Sequence, residues 1–228
     1  MRCTLTRLQR RVFTVLPPLI VLLLAGSTSN ALTLTPLNDL RSISDEFPCP
    51  PGVPDPFCST SETPPMPFAP WSTSTSVAAQ TSSLSPLGME GTGSATSDNP
   101  GTIYLSGSAF MIVFSIDEAA GYSLTGSIDL PEGDPEGDGI ALANLWWYPN
   151  GSEELVADYS LRRGSQVFDI AGYLSAGTYE MMVIGASDGP TASWSFELQL
   201  APLPEPSTLA LLLLGVGCAS VRTILSRR

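Results

Sequence analysis

The chain contains no lysine and no histidine; its ten basic residues are all arginine. Without an imidazole, Ser-His-Asp and Cys-His catalysis and His-ligated metal sites are excluded. Cations are also too few and too scattered for a phosphate-reading surface, so nucleic acid is not an expected partner. Charge of either sign is sparse, with 14% charged residues against 43% hydrophobic ones. The 22 acidic residues outnumber the arginines and leave a net charge of −12. Long amphipathic helical runs and any βαβ rhythm are missing too, which leaves no competitor to an all-β reading. What is present in quantity is Ser, Thr, Gly and Pro, together with apolar runs at both ends of the 228 residues.

The N-terminal run is built as an export signal. Arg2, Arg7, Arg10 and Arg11 form a basic start, Val12 to Gly26 is apolar around Pro17-Pro18, and Ser29-Asn30-Ala31 is a small-x-small cleavage site. Residues 1–31 are thus expected to be a signal helix, with the mature chain beginning at Leu32. Arg10-Arg11 is also similar to a twin-arginine signal, so the general secretion route and the twin-arginine route both stay open.

At the other end, Pro204-Glu205-Pro206-Ser207 leads into a Leu-rich segment that reaches Val221. Arg222 and the terminal Arg227-Arg228 follow. Ser207 to Leu225 spans 19 residues, close to the ~20 that a membrane-crossing helix needs. The arginines should stay cytoplasmic, with Arg222 snorkelling to the interface. Residues 203–228 resemble the PEP-CTERM sorting signal of Gram-negative bacteria. The resemblance rests on Pro204, Glu205 and Pro206, the apolar helix with Gly215 and Gly217, and the basic terminus. It implies a precursor inserted in the membrane by its tail, recognised by an exosortase and cut near the motif. The product then resides at the cell surface or in the extracellular matrix. Implied partners are the exosortase, the secretion translocon and exopolysaccharide.

Removal of both ends changes the charge arithmetic. Residues 32–206 keep only Arg41, Arg162 and Arg163 against all 22 acids, a net charge of −19. Such a product is soluble and repels anionic polymers unless divalent cations bridge them.

Within that product, residues 32–58 form an N-terminal segment closed by Cys49 and Cys58. An oxidising compartment and the turn-rich spacer between them favour a local disulfide. Residues 59–100 read as a flexible, disordered linker: 17 of the 42 are Ser or Thr and 6 are Pro, too polar to offset the entropy of ordering. Residues 101–200 read as the folded domain. Phe110, Ile112, Phe114 and Ile116 alternate with smaller or polar residues. Tyr122, Leu124 and Ile128 do the same, as do Trp194, Phe196, Leu198 and Leu200. Period-two patterning of this kind means half-buried strands. Eight are expected, at 103–105, 110–116, 122–128, 140–148, 155–161, 166–170, 178–184 and 192–200. The fold class is all-β, an antiparallel β-sandwich or jelly roll. Leu174, Gly177, Thr178 and Tyr179 resemble the L-x-x-G-T-Y turn of pre-peptidase-C-terminal-like exported β-sandwich modules, which implies a binding module, not a catalyst.

Three features carry candidate chemistry. Asp134, Glu136 and Asp138 crowd one turn, with Asp129 and Glu132 nearby. They follow the first half of a calcium loop but lack a closing glutamate, since Leu145 stands there. Two readings stand, a Ca²⁺ site or a solvated charged loop; no other cofactor is expected. In Trp146-Trp147-Tyr148, alternation puts Trp146 and Tyr148 with Leu142 and Ile140 towards the core and Trp147 outward or into a second layer; if outward, its ring is a candidate for contact with a sugar. The acid pairs Asp117-Glu118 and Glu153-Glu154 lack the cleft that glycoside hydrolysis needs. The expectation is a non-enzymatic surface or matrix protein, with a carbohydrate-binding module as the alternative.

Overall fold

The computed structural model describes residues 32–49, 51, 57–97, 106–131, 139–187, 189 and 191–203. The expected strand at 103–105, the signal helix with its cleavage site and the C-terminal helix lie outside them. Among the described residues no helix is long and apolar enough to cross a membrane.

Seven long strands occupy the alternating runs: β7 (Ser106–Ile116), β8 (Ala120–Leu130), β9 (Gly139–Trp147), β10 (Glu154–Leu161), β11 (Gly164–Leu174), β12 (Gly177–Ser187) and β13 (Ala192–Pro202). Six more precede them: β1 (Leu34–Asp39), β2 (Ser42–Pro48), β3 (Phe57–Glu62), β4 (Trp71–Ser74), β5 (Ala78–Ser85) and β6 (Gly88–Ala95). Together they build two sheets, paired antiparallel throughout. Sheet A runs β10-β9-β12-β7-β2-β3, with β1 also on β7. Sheet B runs β11-β8-β13-β6-β5-β4.

Two boundaries are corrected. The segment 59–100 is not a linker, and 32–58 is not a separate piece. Leu32–Pro202 is one compact unit. The reason is cross-strand compensation. Gly91 and Gly93 of β6 lie against the rings of Trp194 and Phe196, and a Cβ at Gly93 would collide with Trp194 and Ser108. The neighbouring strand supplies much of the apolar bulk, so a Ser/Thr/Gly segment can be core wall with few apolar residues of its own, chiefly Trp71, Val77 and Met89. Thr and Ser also suit a pleated, half-buried backbone better than composition alone suggests.

The β7 edge is divided between two strands. β1 pairs with Ile112–Ile116 and β2 with Gly107–Ala109. A bulge between Pro36 and Asn38 bends β1 away, and the chain re-enters at Ser42. The core lies between the sheets. Phe110, Ile112 and Phe114 from β7 and Met181 and Val183 from β12 meet Leu124, Ile128, Trp194 and Leu198 across it. Phe110 packs edge-on to Phe196 at 4.6 Å between ring centroids.

Candidate functional site: two unlike outer faces

The two sheets turn different chemistry outward. On sheet A the core side of β9 is Ala141, Ala143 and Leu145, all fully buried. This reverses the face expected from sequence. Trp147 points inward: it packs against the core and stacks on Tyr179 with 6.3 Å between centroids. Trp147 is therefore not an outward sugar platform. Trp146 and Leu142 occupy the outer face instead. The misassignment has a physical cause, because β9 is apolar on both faces and large residues are a poor guide when the facing strand already fills the core.

Neighbouring strands continue that outer surface. Register places Trp146 beside Leu155 on one side and Glu180 on the other, and Leu142 beside Ile184. Met182 lies between Asn144 and Met111, and Glu180 lies beside Val113. The result is a half-buried apolar field of Trp146, Leu142, Met182, Ile184, Met111 and Val113, with Leu155 45% exposed at its margin. Glu180 punctuates it and accepts a hydrogen bond from the Tyr148 hydroxyl at 3.0 Å. Burial, and then Glu180, push the Tyr148 hydroxyl up to about 12.

Sheet B presents the opposite character. One cross-strand row reads Ser72, Thr81, Thr92, Ser195, Ser127 and Val167; the next reads Ser83, Glu90, Glu197, Thr125 and Asp169. Ser127 and Ser195 share a hydrogen bond of 2.9 Å. Glu90 accepts from Ser83 at 2.9 Å, and Glu197 accepts from Gln199 at 2.5 Å. A shallow depression of about 620 Å³ lies over this face, with Trp71 at one rim and Gly91 and Gly126 in its floor.

A buried charge pair anchors the corner between β1 and β2, and sequence reasoning missed it. Arg41 is fully buried, and its Nε and Nη2 donate to the two Asp39 oxygens at 2.9 and 2.6 Å. Nη1 donates to Ser82 Oγ of β5, and Nη2 also donates to the Ala69 carbonyl. The Phe68 N–H completes the carboxylate. Burial raises the Asp39 carboxyl, but Arg41 and the two backbone N–H donors outweigh it and hold it below the ordinary range. Arg41 ties sheet A to the 63–70 segment and to sheet B. The available signal was an isolated arginine two residues after an aspartate in an otherwise Lys-free segment.

Other residues singled out from the sequence fall as follows. Cys49 and Cys58 form a disulfide with Cα atoms 5.0 Å apart, joining the ends of β2 and β3. Leu174 and Tyr179 are buried, and the Tyr179 hydroxyl donates to the Ser175 carbonyl at 2.8 Å across the turn that Gly177 opens at φ +154°. Burial pushes that hydroxyl up to about 12. Asp117 accepts the Thr33 N–H at 3.0 Å. Asp134, Glu136 and Asp138 lie outside the described residues, as do Ser29, Ala31 and the tail residues Pro204, Glu205, Pro206, Ser207, Arg222, Arg227 and Arg228. Among the described residues no group of three or more Cys, Asp or Glu is arranged to hold a metal.

No protein-family model matches the chain, and no curated protein matches it. Among solved structures it is similar to chains of cowpea mosaic virus. In the naturally occurring empty top component, identity is 10%, 77% of this chain and 86% of that chain are covered, and the TM-score is 0.27. In the empty virus-like particle, identity is 9%, coverage is 78% and 90%, and the TM-score is 0.26. A chain described as "CBM4 structure and function" shares 11% identity over 52% of this chain and 78% of that one, at a TM-score of 0.21. Likenesses this loose carry no functional weight.

Proposed function

We propose that the chain is an exported, non-enzymatic surface or matrix protein, sorted by an exosortase through residues 204–228. In this reading its β-sandwich is an interaction module. The observation that carries the module reading is the apolar outer face of sheet A around Trp146, which is half-open to solvent on a strongly acidic protein. Soluble domains rarely leave such a field without a partner. The disulfide between Cys49 and Cys58 suits an oxidising compartment. The tail supports sorting through its order of Pro-Glu-Pro motif, apolar helix and terminal arginines.

Two measurements test the two halves. The intact mass of the protein recovered outside its host's cells is expected to end near Pro206; a mass that retains Arg228 would make the tail a plain anchor. Extracellular material from the host is expected to retain the wild type and to lose the Trp146→Ala and Met182→Lys variants. Equal retention of all three would sink the face assignment.

A second reading, a carbohydrate-binding module for exopolysaccharide, is favoured by one specific feature. Trp146 stands half-exposed on the outer face beside the carboxylate of Glu180, an aromatic ring next to a hydrogen-bond acceptor such as sugar stacking uses. Retention on purified exopolysaccharide that depends on Trp146 and not on Trp147 would select this reading. Loss of that retention in chelator, and in Asp138→Ala, would add a Ca²⁺ requirement through Asp134, Glu136 and Asp138.

A further inference from the structure

Sheet edges in soluble proteins are normally blunted, because unpaired backbone groups template association. Among the described residues β1, held by β7 alone, is a short edge blunted by Pro36 and a bulge, and three of the other four edge strands are blunted as well. β4 has only four residues. β3 is closed by the disulfide at Cys58 and ends at Glu62. β10 carries a bulge between Leu155 and Ala157 and the charges of Glu154 and Asp158.

The fourth edge strand is different. β11 runs for 11 residues in unbroken register along β8, and among the described residues β8 is its only ladder partner. It has no proline, no bulge and a single charge, Asp169. Its outward positions include two large apolar residues, Val167 and Tyr173, each 79% exposed. These are the most exposed of the large hydrophobic side chains among the described residues.

Their positions are symmetric about Ile170. In an antiparallel pair of β11 strands centred on Ile170, Val167 of one copy would stand directly opposite Tyr173 of the other. An aromatic residue facing a β-branched one is a favourable cross-strand pair. Asp169 would face Ala171, so the strand's one carboxylate would not oppose its own copy. Charge at the strand ends agrees. The turn Arg162-Arg163 precedes β11, while Leu174 at its far end pairs with Ala120, next to the Asp117-Glu118 turn. The two-fold would bring the basic turn of each copy towards the acidic turn of the other. On a protein with so few cations, this places two of the three arginines of residues 32–206 where they offset the general repulsion.

We infer that β11 is a homodimer edge, pairing with β11 of a second copy about Ile170 to join two copies of sheet B into one continuous twelve-stranded sheet. The inference does not depend on what either outer face binds.

Sedimentation of the full chain, in mild detergent to accommodate its apolar ends, tests it. The wild type and Val167→Ile are expected to sediment as dimers in a concentration-dependent way. Val167→Lys and Tyr173→Lys are expected to weaken association roughly tenfold or more, since each sets a charge against an apolar partner. Thermal melts of all four proteins separate dissociation from misfolding, and both lysines occupy open surface. A wild type that stays monomeric at its highest soluble concentration would overturn the inference. So would a dimer that both lysine variants leave intact.

Discussion

The guanidinium of Arg41 grips the carboxylate of Asp39 two residues earlier as a fork, with contacts of 2.9 and 2.6 Å and side chains 0% and 3% exposed. The pair sits where β1 leaves the β7 edge and β2 takes it over. Breaking one member of a buried pair leaves an uncompensated charge, which typically costs about 3–5 kcal/mol. Asp39→Asn and Arg41→Met are each expected to destabilise by that order in chemical denaturation at neutral pH. A double change to apolar residues, Asp39→Leu with Arg41→Met, should recover much of the loss.

The same pair sets an acid limit. The Asp39 carboxyl titrates lower in the folded state than in the unfolded chain. Its contribution is therefore complete above the unfolded value of about 3.9 and drains away as pH falls through the folded value. The stability gap between wild type and Asp39→Asn should be constant from pH 7 to about pH 5 and narrow below about pH 4. A gap that stays flat down to pH 2 would contradict the assignment.

At the alkaline end, Tyr148 and Tyr179 remain protonated up to about 12. Their folded values lie above the unfolded value near 10, so the stability they supply is present below about pH 10 and is lost between there and about pH 12. Absorbance titration should show these two phenols ionising late, with Tyr122 also held above its ordinary value by burial, and Glu180→Gln should bring Tyr148 down by removing the facing carboxylate.

Trp146 and Trp147 should separate cleanly. Trp147→Ala removes a ring stacked on Tyr179 and is expected to cost about 2–4 kcal/mol in thermal or chemical unfolding. Trp146→Ala should change stability by less than about 1 kcal/mol and act on partner retention instead. Equal destabilisation by both would restore doubt about which ring faces the core.

Gly93 gives a sharp packing test. A methyl there meets Ser108 Oγ and the Trp194 ring, and Trp194 Nε1 already donates to the Ser108 carbonyl at 3.0 Å. Gly93→Ala should destabilise by about 1–3 kcal/mol through overpacking. Gly151→Ala meets open space but has φ +82°, so any cost there is conformational and should be near 1 kcal/mol.

β8 and β13 were legible because they alternate apolar and polar residues, as Leu124 to Ile128 and Trp194 to Leu200 do, and the other strands after residue 105 were legible as short apolar runs between turns. β4, β5 and β6 were not legible. Trp71, Ala78, Gln80, Ser82 and Met89 are buried there, yet their partners are remote in sequence: Trp71 and Ala78 cluster with Ile43, Ser82 meets Arg41, and Met89 joins the core that β13 fills. A local window cannot register bulk supplied from so far away. β9 failed for the opposite reason: Ile140 to Trp147 is apolar on both faces, so pattern fixes the strand but not its orientation. The Asp39–Arg41 pair was invisible because burial of an arginine is decided by the crossing of two sheets, not by its neighbours in sequence.

The position of β13 has a consequence for how the protein is made. It lies in the middle of sheet B, bonded to β8 on one side and β6 on the other. Until Ala192–Pro202 is delivered, β11-β8 and β6-β5-β4 are two fragments with no shared ladder, and the core lacks Trp194, Phe196, Leu198 and Leu200. The hairpins β2–β3, β4–β5–β6 and β9–β10, and all of sheet A, can pair before β13 exists, but sheet B cannot be joined. The sandwich closes only when its last strand arrives, so the joining of sheet B is the latest long-range step that the strand order allows.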